Sequence, residues 1–129
     1  GEAGHDELLA LRDAVVELLI AARGGRAPDP SALQRVNVTA ALGVVHPSLT
    51  WTDGTWCATR TGHGDPHRQA LHHLAEATIA LLAGPDRGAL RRCAAPDCTM
   101  WFVQQHKRRH YCHPSCSTRH RQARHRART

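Results

Sequence analysis

At 129 residues and 14.2 kDa, 41% hydrophobic and 22% charged, the chain has room for one ordinary domain, or for a small domain with a metal-stapled appendage. No apolar run is long enough to cross a bilayer, and no charged segment leads into a hydrophobic one, which excludes membrane-spanning and secreted readings and leaves the cytoplasm as the expected compartment. The net charge of +6 is unevenly divided: residues 1–90 hold seven Lys/Arg against ten Asp/Glu, a net of −3, and residues 91–129 hold ten against Asp97 alone, a net of +9.

Apolar residues recur at helical spacing from Leu8 through Leu11, Val15, Leu18 and Leu19 to Ala22, which predicts a first helix capped by Asp6 and stopped by Gly24-Gly25. Asp29-Pro30 is a cap followed by proline at the first helical position. A second, shorter helix is expected from there to Gly43, with Leu33, Val36, Val38, Ala40 and Ala41 as its apolar set and Asn37 among them. The period then changes to two over residues 48–60, where Asp53-Gly54 supplies the residues of a tight hairpin turn. Asp65-Pro66 opens a third helix through Leu71, Leu74, Thr78 and Leu82, and Gly84-Pro85 ends it. Gly1 stands where an initiator methionine would, which points to a natural chain that begins further upstream.

Four of the five cysteines follow as Cys93-x4-Cys98-x13-Cys112-x3-Cys116. Two close pairs joined by a short spacer are the layout of a tetrahedral zinc site, in which four thiolates leave no open position and the ion is structural. With an odd cysteine count and no signal for export, bound thiolates fit better than a disulfide framework. The expected order is a knuckle at Cys93–Cys98, a strand at Met100–Val103, a basic turn at Gln104–Arg109, a returning strand at His110–Cys112, and a helix from Pro114: a treble-clef-like finger. Cys116 at that helix start would gain from the helix dipole. His106, His110 and His113 are alternative ligands, though a surface position suits each better. His63, His67, His72 and His73 read as surface histidines, and Cys57 as a small buried hydrophobe.

The last helix carries Arg119, Arg121, Arg124, Arg126 and Arg128 with no Glu at i±4, and Lys107, Arg108 and Arg109 precede it. Unbalanced guanidinium groups on one element call for a polyanion, and duplex DNA is the expected partner, its phosphates met by these eight cations.

From Leu11 onward the chain resembles the bacterial CGNR zinc-finger family, whose N-terminal part is the ABATE domain. The resemblance is carried by Leu11-Arg12-Asp13-Ala14-Val15 with Gly24-Gly25, by Leu33-Gln34-Arg35-Val36-Asn37, and by Leu81-Leu82-Ala83 followed by Leu90-Arg91-Arg92-Cys93. Its most specific part is the finger: Cys93, Cys98, Trp101-Phe102, Arg108-Arg109-His110-Tyr111-Cys112 and Cys116. The naming tetrad reads Cys116-Ser117-Thr118-Arg119, keeping cysteine and arginine but not glycine and asparagine. The resemblance implies a stress-linked transcriptional regulator that binds DNA through the finger.

The expectation is therefore a mainly α protein with short β-hairpins, divided into a helical ABATE-like domain at 1–88 and a zinc finger at 89–129. It is not an enzyme, it holds one structural zinc ion through Cys93, Cys98, Cys112 and Cys116, and it binds double-stranded DNA. The helical domain would homodimerise or sense an unidentified effector. An RNA- or protein-binding module is the alternative, with Trp101, Phe102 and Tyr111 as stacking candidates. A nuclease fits poorly, since within the finger only Asp97 could hold a catalytic metal.

Overall fold

The computed structural model describes residues 1–128, the side chains of Val44, Val45 and His63 excepted. The chain divides into two compact units, Gly1–Leu82 and Ala83–Thr129. The family of elements is the expected one, mainly helical with short antiparallel hairpins.

In the first unit, α1 spans Glu2–Gly24, α2 Pro30–Ala41, and α3 begins at Pro66 and runs to Ala83. Helix α1 begins four residues before the expected cap, with Gly1 at its N-cap, so Asp6 lies inside the helix. It ends as predicted. Gly25 takes a left-handed φ of 66°, and Arg26 N–H reaches back to Ala21 O at 3.1 Å. The Asp29 side chain accepts from Ser31 N at 2.9 Å with Pro30 in the first turn, and Asp65 caps α3 by accepting from His67 N at 2.9 Å.

Leu11, Ala14, Leu18, Ala32, Val36, Leu71 and Ala75 form the core of this unit, with Val15, Ala40 and Leu82 against it. Each fully buried Leu or Val is worth about 1.5–3 kcal/mol of transfer free energy. The buried face of α2 is Ala32, Val36 and Thr39, whose hydroxyl bonds Arg35 O at 2.7 Å. Leu33 and Val38 are therefore exposed, and Asn37 is solvated and needs no buried partner. Val36 and Ala40 pack inward as the spacing predicts, while Leu33 and Val38 fall outside the buried face.

The connection from α1 to α2 is tied by Glu17. Its carboxylate pairs with Arg26 at 2.7 Å and also accepts from Asp29 N at 2.9 Å. The Arg26 hydrogen bond, with that backbone N–H, holds the Glu17 carboxyl down at about 2.

His72 departs from its expected surface position. It is buried, and Nδ1 lies 2.7 Å from Ala40 O, joining α3 to the end of α2. Nε2 is 2.9 Å from Glu76 Oε2 but out of line for a hydrogen bond. Its ring occupies the space a side chain at position 43 would need, which is why glycine stands there. His67 and His73 are exposed as expected; the side chain of His63 lies outside the described residues.

Strands β1 (Val44–Thr52) and β2 (Thr55–His63) pair in register Trp51↔Trp56 and Leu49↔Ala58, longer at both ends than the 48–60 expected. Asp53 and Gly54 both have positive φ, 51° and 71°, as a primed hairpin turn requires. Leu49, Trp51 and Trp56 share one face and are 71%, 61% and 67% exposed, while Ser48, Thr50 and Cys57 on the other face are half-buried. The two indoles meet edge to face, 4.9 Å between centroids.

Two outcomes follow. Gly43→Ala should lower unfolding free energy by about 1–3 kcal/mol, because the His72 ring must leave its Ala40 bond; denaturant titration with circular dichroism measures this. Glu17→Gln should lower the melting midpoint by a few degrees near neutrality. A carboxyl whose folded pKa lies below its ordinary value stabilises above that ordinary value and loses the effect as pH falls toward about 2. The gap between wild type and Glu17→Gln should therefore narrow in acid, as thermal melts across pH would record.

Candidate metal centre and its basic helix

The second unit opens with a 3-10 turn, Pro85–Ala89, which leads into β3, Leu90–Arg92. That strand pairs antiparallel with β4, Trp101–Val103, in register Leu90↔Val103 and Arg92↔Trp101. The hairpin is thus built around the first cysteine pair. The expected returning strand at 110–112 is absent; that segment is irregular, and the ladder partner of β4 comes from upstream.

Side chains explain the difference. Arg109 donates to Tyr111 O at 3.2 Å and Cys112 O at 2.9 Å while its guanidinium stacks 4.7 Å over the Phe102 ring. Gln104 donates to Arg109 O at 2.7 Å. The carbonyls of 109–112 are largely occupied by these donors, so little remains for a ladder. One backbone bond survives, from Ala94 N to His110 O at 2.8 Å, and it seats this segment beside the knuckle.

Helix α4, Pro114–Arg128, starts two residues after Cys112. His113 caps it, its Nδ1 accepting from Ser115 N at 3.1 Å, so this histidine has a structural duty and is not a ligand. The first turn of α4 carries Cys116 inward, where it is buried with Cys93 and Ala95.

The four sulfurs of Cys93, Cys98, Cys112 and Cys116 lie within 4.8 Å of one another. Cys98–Cys112 and Cys112–Cys116 are each 3.7 Å. A tetrahedral ion with bonds of about 2.3 Å sets its sulfurs ~3.8 Å apart, and a disulfide needs about 2.05 Å. The spacing fits the former, and all five cysteines are free thiols. Among the described residues no other group of three or more His, Cys, Asp or Glu converges in this way. Cys57 is half-buried in β2 and takes no part.

Protonation makes the same point. Burial pushes the Cys112 thiol up to about 12, its neighbouring sulfurs adding to the effect, and burial pushes Cys116 up as well. Burial opposes ionisation of Cys93 too, but the N–H groups of Cys112 and Ala95 and the thiols of Cys112 and Cys98 bring it down to about 7. Four thiolates this close repel one another, and a bound cation would offset that repulsion. The donor set is that of a metal-binding cluster.

Two further ties dock α4 on this centre. Tyr111 OH lies 2.9 Å from His120 Nδ1, and Arg119 pairs with Asp97 at 2.8 Å. Past His120 every described residue of the helix is exposed, Ala123 and Ala127 included.

The eight cations divide accordingly. Arg109 and Arg119 are engaged within the unit. Lys107, Arg108, Arg121, Arg124, Arg126 and Arg128 are exposed. A shallow hollow of about 450 Å³ between the loop and the start of α4 is lined by Arg108, His110, His113, Ser117 and Arg121. Asp97 and the Tyr111–His120 pair were not foreseen as supports. The signal for Asp97 was present: it is the sole carboxylate side chain between residues 91 and 129.

Fold and site together define a protein with a helical unit followed by a metal-binding four-cysteine finger. Residues 1–85 match the ABATE family, described as "Putative stress-induced transcription regulator", and residues 89–129 match the CGNR zinc finger. The chain belongs to the ABATE family, with a CGNR finger at its C-terminal end. Among curated proteins none matches the chain. No helix among the described residues is long and apolar enough to cross a membrane.

Replacing Cys93 or Cys116 with serine should abolish stoichiometric metal retention and disorder the finger, read by elemental analysis and amide exchange. Full metal content in either variant contradicts the four-sulfur site.

Proposed function

We propose that this chain is a zinc-dependent DNA-binding regulator, in which one structural Zn²⁺ held by Cys93, Cys98, Cys112 and Cys116 folds a finger that presents cations to duplex phosphates. Zinc is favoured because four thiolates in tetrahedral spacing suit it, and it brings no open coordination position to support catalysis. The ion's contribution is folding free energy, on the order of 10–16 kcal/mol in small fingers.

The observation that carries the DNA reading is the outer half of α4. Arg121, Arg124 and Arg128 have no carboxylate partner among the described residues, and the sole acidic side chain of residues 91–129 is already paired with Arg119. Such groups repel one another until an anion neutralises them. The hollow lined by Arg108, His110 and Arg121 supports a backbone phosphate seated between loop and helix. The helical unit would homodimerise or sense an unidentified effector.

Single-stranded RNA is less well supported. Phe102 is buried under Arg109 and Tyr111 is tied to His120, which leaves Trp101, half-buried, as the one aromatic of the finger without such a tie. A nuclease is also less well supported, since the sole carboxylate side chain of residues 91–129, Asp97, is engaged by Arg119.

If about four cations replace counterions, log affinity for duplex DNA should fall with log salt at a slope near −3.6. Fluorescence anisotropy at several salt concentrations, with single-stranded RNA as competitor, measures this. A flat dependence, or preferential displacement by RNA, refutes the duplex reading.

A further inference from the structure

Arg119 reads in sequence as one more cation on a basic helix, but its geometry sets it apart. Nε lies 2.8 Å from Asp97 Oδ2, and Nη2 lies 3.3 Å from Oδ1, so the guanidinium grips both oxygens of the carboxylate. The same Nη2 donates to Cys116 Sγ at 3.5 Å. Asp97 immediately precedes Cys98 in the knuckle, and Arg119 sits one turn beyond Cys116 on α4. One planar group therefore spans the two elements that bring the first and last sulfurs together.

As an ion pair alone this would matter little. The two side chains are 49% and 62% exposed, and exposed pairs contribute about 0–1 kcal/mol. What distinguishes it is the third contact. Four thiolates around a divalent ion leave a net charge of about −2 in a confined space, and a fixed N–H donor at a ligand sulfur offsets part of it. Outer groups that orient ligands commonly change metal affinity by 10–100-fold.

We infer that Arg119 is a positioning residue of the metal centre and not a nucleic-acid contact: braced by Asp97, it fixes Cys116 against the knuckle and stabilises its thiolate. This rests on the zinc reading above. It also explains why arginine is found at this position beside a cysteine ligand while Ser117 and Thr118 face outward: Ser117 lines the basic hollow and Thr118 bonds back to Pro114 O at 3.3 Å.

The test uses the full chain with zinc bound. Arg119→Gln should lose zinc to a competing chelator with about 10–100-fold weaker affinity. Asp97→Asn should shift zinc affinity in the same direction, because it releases the brace, and the double variant should be little worse than Arg119→Gln. Substitution of cobalt(II) for zinc should show an altered thiolate charge-transfer band in Arg119→Gln. The salt slope of DNA binding, measured at saturating zinc, should stay at the wild-type value in Arg119→Gln, whereas Arg124→Gln should reduce it by about 0.9. Wild-type zinc affinity in Arg119→Gln together with a slope reduced by about 0.9 overturns the inference and makes Arg119 a phosphate contact, with the zinc reading intact. A wild-type chain that holds no zinc overturns both.

Discussion

Everything in the C-terminal unit depends on bringing four sulfur atoms within 4.8 Å of one another. That crowding is unfavourable by itself. Buried thiols resist ionisation, and ionised ones repel; a bound divalent cation would convert the same geometry from a cost into the main stabilising contact. Few other resources are available. Apart from the sulfurs and Ala95, the buried hydrophobic side chains of this unit are Leu90 and Phe102. Two such residues cannot offset the ordering of more than forty, at about 1–2 kcal/mol each for the backbone. The helical unit works differently. Its helices interlock through Leu11, Leu18, Val36 and Leu71, and its polar ties, Glu17 and His72, secure junctions that burial has already placed.

The metal-centred arrangement sorts arginines that look alike in sequence. Arg109 lies over Phe102 and satisfies two carbonyls, and Arg119 lies on Asp97 and a sulfur. These two are committed to shaping the finger. Arg121, Arg124 and Arg128 come after the last tie to the knuckle and extend into solvent. A planar fork with five donors can serve either purpose, and neighbouring acceptors decide which. Lysine at 109 or 119 would keep the charge and lose the geometry.

Much of this was legible in the residues. Cap and stop chemistry located the helices: Asp29-Pro30, Asp65-Pro66 and Gly25 act as their types require, and Asp53-Gly54 makes the turn its φ values demand. The cysteine spacing brought four sulfurs to one point. What could not be read was long-range or side-chain specific. Strand pairing in the finger was assigned to the wrong partner, because three-residue strands carry almost no periodic signal and the choice was made by Arg109 and Gln104. His72 was misplaced for a related reason. Its burial depends on a glycine twenty-nine positions earlier, at residue 43, leaving room for an imidazole.

The separate compactness of the two units has a consequence for the chain's life in a cell. All four sulfurs lie between positions 93 and 116, so the closure they make draws on no residue of the helical body. Loss of the ion would dissolve the ordered array of guanidinium groups yet spare the hydrophobic interior, and replacement would rebuild it without global refolding. Under the proposed function, the supply of a trace element would set how much of a standing pool is competent to grip a polyanion, an economy in which control needs no new synthesis and no proteolysis.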